Sequence, residues 1–132
     1  MRARVSVLLA LVCAVAALPD HAHAQLPRTG VRLLAPFDPV VWDRRRFELF
    51  WCWAYRFEAY TPAPKRVRGY YALPLLWRDA VVGWGNLSVV DGQLVASFGY
   101  AHGRAPKDPT FRRERDAELA RIETFLGLAA FS

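Results

Sequence analysis

The chain is poor in the residues that metal and redox chemistry need. Its 132 residues include two cysteines, three histidines and one methionine. Cys13 and Cys52 stand far apart, and His21, His23 and His102 are scattered. No Cys/His cluster has metal-ligand spacing, so neither a metal centre nor any other cofactor site is expected. If the first 24 residues are removed, Cys52 is left alone and no internal disulfide framework can form. Between Trp51 and Trp53 it reads as a small buried core residue. No nucleophile and base stand together, so an independent hydrolase finds no support. Asp43, Glu48 and Glu58 could be imagined as an acid–base pair, but nothing in the pattern places them in a cleft and a structural role is expected. Internal repeats and low-complexity tracts are missing as well.

Long hydrophobic runs are also lacking. The apolar stretch from Val5 to Leu18 falls about four residues short of a stable membrane span. Arg2 and Arg4 precede it, and Pro19 and Ala22-His23-Ala24 follow it. Charged start, short apolar run and small-residue exit form the pattern of a secretory signal peptide cleaved before Gln25. The alternative is a misplaced start, with this segment a remnant of a larger protein. The chain divides into a signal-like or remnant segment over 1–24, a linker over 25–30, a domain over 31–128 and a tail over 129–132.

What the sequence does have is apolar and basic. Hydrophobic residues make up 54% and aromatic residues 14%, enough for one packed core. The formal net charge is +6, which favours anionic partners such as nucleic acid or lipid headgroups. Val31 onward reads as a short strand running into a turn. Asp38-Pro39 supplies an N-cap and a first-turn proline for a helix reaching about Phe50. Val41, Trp42, Arg45, Glu48 and Leu49 share one side of that helix, and Phe47 and Phe50 widen its apolar stripe. Arg44 and Arg46 project elsewhere, so Arg44-Arg45-Arg46 cannot make one flat patch. Tyr55 to Tyr60 alternates as a half-buried strand, and the aromatic side chains from Phe47 to Tyr60 are expected in the core.

"TPAPKRVRG" is a loop, and "YYALPLLW" a strand in which Pro74 marks an edge or bulge. Arg78-Asp79 turns the chain into a strand ending at Val90, and Asp91-Gly92 is a hairpin signal. Leu94, Ala96, Phe98 and Tyr100 then line one face of the last strand. Asp108-Pro109 opens a final helix with Leu119, Ile122, Phe125 and Leu126 facing the core and Gly127 as its cap. The predicted fold is α+β: an antiparallel curled or barrel-like sheet flanked by a short N-terminal helix and a C-terminal helix. Asn86-Leu87-Ser88 matches a glycosylation sequon but falls within a strand.

Two stretches carry a resemblance: "RLLAPFDPVVWDRRRFELFW" and "YRFEAYTPAPKRVRGYYALPLLW". Over Val31 to Leu128 they resemble the C-terminal region of the winged-helix DNA glycosylases, the AlkZ-like and YcaQ-like proteins that remove alkylated bases and unhook interstrand crosslinks. The resemblance implies a bacterial, cytoplasmic, DNA-repair-linked protein, and a β-rich region attached to winged-helix modules. Those proteins are several times longer, and their catalytic Gln-x-Gln or Gln-x-Asp motif lies in the N-terminal part. Here neither Gln25 nor Gln93 is followed two residues later by Gln or Asp. No catalytic residue carries over. The expected function is therefore a non-catalytic DNA-associated module, a truncated family member that binds DNA non-specifically. The alternative is an exported small β-rich binding protein that uses residues 1–24 as its leader. Winged-helix domains of a longer relative are a further candidate partner.

The candidate DNA contacts are basic. Lys65, Arg66 and Arg68 sit in a proline-bordered loop beside Tyr70 and Tyr71, where phosphates and a sugar or base could be held. The plainer reading is a solvated loop whose arginines pair with Asp43, Glu48 or Glu58. Arg44 and Arg46 are secondary candidates, since such a triplet also suits the rim of a sheet. The loop is expected to carry any DNA contact, and the arginine triplet to hold the sheet.

Overall fold

The computed structural model describes residues 30–128. The signal-like segment 1–24, linker residues 25–29 and the tail 129–132 lie outside the described residues. Within them the order is β1 (Val31–Leu33), α1 (Pro39–Trp42), α2 (Arg44–Trp51), β2 (Ala72–Trp77), β3 (Ala80–Val90), β4 (Gln93–Tyr100) and α3 (Pro109–Phe125), with a 3-10 turn at Ala63–Lys65. The strands form one antiparallel sheet in the order β1-β2-β3-β4. The domain is α+β, a curled sheet with helices, as the pattern predicts.

The expected single helix from Pro39 is two. Asp38 caps α1 by accepting from the Val40 N–H at 2.8 Å. Asp43 then leaves the helical conformation, with φ −86° and ψ 100°, and accepts from the Arg45 and Arg46 N–H groups, each at 3.1 Å. An aspartate side chain that captures the next turn's donors restarts the helix on a new axis. The apolar stripe changes with it. Val41 and Phe47 are buried, whereas Trp42, Leu49 and Phe50 are exposed. Cys52 ends α2 in the left-handed region with φ 57° and lies exposed. It is not the core residue expected, because the turn it makes sends the chain back under α2.

Residues 54–58 have no ladder partner, so the strand expected over Tyr55 to Tyr60 does not form. The alternation fails at Glu58, which is buried. Tyr60, by contrast, is 90% exposed, so the aromatic run is not uniformly core.

β2 is buried almost throughout because both faces of the sheet are covered. On one face Val31, Leu75 and Trp77 pack with Phe111 of α3. On the other, Val81 packs with Val41, Phe47 and Tyr55. Pro74 is paired within β2 opposite Trp84, one residue before a register shift between Leu75 and Leu76. Its carbonyl accepts from the Leu34 N–H at 2.9 Å, so its missing donor also points to the β1 side. β1 has already ended there, which makes the site a local edge within an interior strand.

Arg78 with φ 57° turns β2 into β3, and Asp91 and Gly92, with φ 53° and 78°, turn β3 into β4. The sheet closes tightly between those turns. A side chain at Gly99 would meet the Trp84 indole at 2.2 Å, so only glycine lets that ring lie across β4.

α3 starts as expected, with Asp108 accepting from the Thr110 N–H at 2.9 Å. Gly127 follows its end with φ 65°. The buried face differs from the predicted stripe. Phe111, Glu118 and Ile122 are buried, and Phe125 is exposed. Glu118 sets this rotation: its carboxylate accepts from the Leu33 N–H at 3.0 Å and pairs with Arg32 at 3.3 Å and Arg121 at 2.6 Å. Arg121 also reaches the Val31 carbonyl at 3.3 Å. The outward Leu33 N–H and Val31 C=O of β1 are thus satisfied by a helix, which covers this edge of the sheet.

Candidate nucleic-acid interface

The basic loop is held by one carboxylate. Glu58 accepts from the backbone N–H groups of Val67, Arg68 and Gly69 at 2.9, 2.8 and 3.3 Å. Burial alone would raise its pKa. The three amide donors and the nearby Arg68 guanidinium outweigh that and hold the carboxyl below its ordinary value. On the far side, the Asn86 amide donates to the Arg68 carbonyl at 2.8 Å. That side chain is fixed inside the fold, so the sequon has no free acceptor there.

Of the loop's three cations, two face inward. The Arg68 guanidinium lies over the Trp53 and Trp84 rings at 5.4 and 5.2 Å, and donates to the Ala54 carbonyl at 2.8 Å. Its Nε is buried without a partner. Arg66 donates to the Thr61 carbonyl at 2.8 Å and stacks on Tyr70 at 4.6 Å. Neither pairs with Asp43, Glu48 or Glu58, the partners foreseen for a plain solvated loop. Lys65 alone of the three is exposed. Tyr70 is exposed and Tyr71 half-buried, with their rings 4.4 Å apart and Tyr71 resting on Phe57. Burial, then the neighbouring Tyr70, pushes the Tyr71 hydroxyl up.

The arginine triplet is exposed throughout. Arg46 turns back to donate to the Pro39 carbonyl, bracing α1 against α2. Arg44 enters the same groove as Lys65. This groove, about 340 Å³, is lined by Arg44, Glu48, Arg56, Lys65 and Arg68, with Tyr55 and Glu58 at its floor. Among the described residues, the side chains of Arg44, Arg56 and Lys65 have no hydrogen-bond or ion-pair partner. Glu58 is already occupied by the loop amides, so Glu48 is the one carboxylate in the lining left to oppose them. The Tyr55 hydroxyl donates to the Ala72 carbonyl at 2.8 Å and is pushed well up by burial against the pull of Arg68.

Arg56 escaped the sequence reading because the expected strand made it one of several outward polar residues. No local sequence signal marks it, since the alternation of residue types through Glu58 is intact and only the missing neighbouring strand leaves residues 54–58 to line a groove. Among the described residues no group of three or more His, Cys, Asp or Glu side chains could hold a metal ion. None of the described helices is long and apolar enough to cross a membrane.

No solved structure gives a significant match to the chain. The family model for DNA glycosylase AlkZ-like proteins matches residues 2–125, extending upstream of Val31 through the arginine-led apolar run. With nearly its whole length matched, the chain belongs to the AlkZ-like DNA glycosylase family.

Proposed function

We propose that the chain is a non-catalytic DNA-associated module of this family, contacting the nucleic-acid backbone through the groove between α2 and the Glu58-pinned loop. The observation that carries it is the unpartnered set Arg44, Arg56 and Lys65 lining one groove. Cations held together without carboxylate partners raise the local potential and suit phosphates. Family membership makes DNA the anion to expect. The absence of a Gln-x-Gln or Gln-x-Asp motif supports a binding rather than a base-removing role. Arg66 and Arg68 position the loop in this reading, and Tyr70 carries Arg66.

The test is binding of the full chain to duplex DNA across a salt series. Changing Arg44, Arg56 and Lys65 to alanine should weaken binding similarly on every sequence. It should also lower the slope of log affinity against log salt by about one unit per lost contact. The same preparation should release no base from alkylated duplex. Binding that ignores the triple change, or sustained base release that survives repurification, would overturn the proposal.

A cytoplasmic location is part of this reading, since DNA is there. The export reading rests on Arg2, Arg4 and the apolar run, and the family match includes that run.

A further inference from the structure

Beside the basic groove lies a second one, about 280 Å³, lined by Phe37, Val41, Trp42, Phe57 and Tyr60 over Pro36. The two adjoin, for Arg44 and Tyr55 line both. Trp42 is 69% exposed, Phe37 55% and Tyr60 90%. Folding leaves these rings in water although the core lies directly beneath them. Phe37 leans on Trp42 at 6.1 Å with the rings tilted, and meets Phe57 edge to face at 6.3 Å, as Phe57 meets Tyr60 at 6.4 Å. A contiguous exposed aromatic patch of this kind marks a binding surface.

We infer that this aromatic groove seats an unpaired base whose phosphate lies on Arg44 and its neighbours, so that the module prefers single-stranded or locally opened DNA to intact duplex. The inference deepens the DNA reading above and rests on it. A peptide partner would fit the rings, but the adjoining Arg44, with Arg56 and Lys65 beyond it, favours a ligand that alternates flat apolar groups with negative charges. A nucleic-acid strand has that alternation, and base–aromatic stacking tolerates any sequence. In a duplex the bases are stacked on each other and cannot reach Trp42 or Tyr60. Only the phosphates remain available, and the basic half of the groove would bind alone.

The experiment compares a short oligothymidylate with a duplex of equal phosphate number, using the full chain and the double variant Trp42→Ala/Tyr60→Ala. Both rings are exposed, so the variant keeps the fold, and a circular-dichroism melt checks it. Wild type should bind the single strand more tightly, with quenching of tryptophan fluorescence. The variant should lose about tenfold on the single strand and less than about twofold on the duplex, where phosphate contacts dominate. Equal losses on both, or none on the single strand, would remove the stacking seat and leave the phosphate groove standing. Polyglutamate binding that is equally sensitive to the two rings would assign the surface to a protein and overturn the inference. No binding to either oligonucleotide at low salt would remove the DNA reading itself, and the seat with it.

Discussion

Glu58 holds the interface together through hydrogen bonds that no regular element supplies. The three N–H groups it accepts come from consecutive residues, Val67 to Gly69. A loop bordered by prolines has few backbone partners of its own, and a buried carboxylate replaces them. Replacing Glu58 by alanine leaves those donors unsatisfied and should destabilise the domain by on the order of 3 kcal/mol. The pH dependence has a definite sign. Because the folded carboxyl titrates below its ordinary value, its contribution is complete above the unfolded pKa of about 4.3. It is then lost as pH falls through that value and the lower folded one. Urea midpoints should therefore show wild type and Glu58→Gln well separated near neutrality and converging in acid. Parallel curves across that range would contradict this assignment. Arg68 depends on the same arrangement: the loop amides place it over two neighbouring indole rings, where lysine would lose the planar stacking.

At the scale of elements, α3 is held to the sheet by polar groups as much as by apolar ones. Glu118 joins Arg32, Arg121 and the Leu33 N–H. Glu118→Ala leaves two arginines without their shared carboxylate and an edge amide without its acceptor. A loss of about 3 kcal/mol is expected, together with much faster hydrogen exchange at the Leu33 amide. If that amide exchanges at the wild-type rate, the helix is not what protects the edge. Such cross-element pairing could not be read from sequence, since Glu118 sits more than eighty positions from the strand it serves. What was legible is what local chemistry decides. Asp38-Pro39 and Asp108-Pro109 mark helix starts, and Asp91-Gly92 marks a hairpin. Asp43 has no proline after it to announce a restart, and the apolar periodicity around it pointed to an unbroken helix. Tyr55 to Tyr60 failed for the converse reason: alternation is a sheet signal only if a neighbouring strand exists to answer it.

Across the whole molecule the positive charge is not spread evenly in its consequences. Of the candidate cations in the loop and triplet, Arg66, Arg68 and Arg46 are spent on rings and carbonyls, whereas Arg44 and Lys65 face the groove with Arg56. Residue type gave the basic character correctly, but which cations stay free depends on where Glu58 folds the loop. The proposed cytoplasmic location is tested at the amino terminus. The mass of the protein recovered from cells should show an uncleaved start at or next to Met1, and a species beginning at Gln25 would establish export instead. A last consequence follows from the covered side of β1. Among the described residues no strand lies beyond β4, so the sheet has one free end, a valence of one. Two copies meeting through β4 would exhaust each other's free ends in a two-fold pair, and a third would find nowhere to add. A sheet open at both ends has no such stopping rule and grows without limit. By covering β1, Glu118 and Arg121 leave β4 as the long edge of the described sheet at which strand pairing between copies would start.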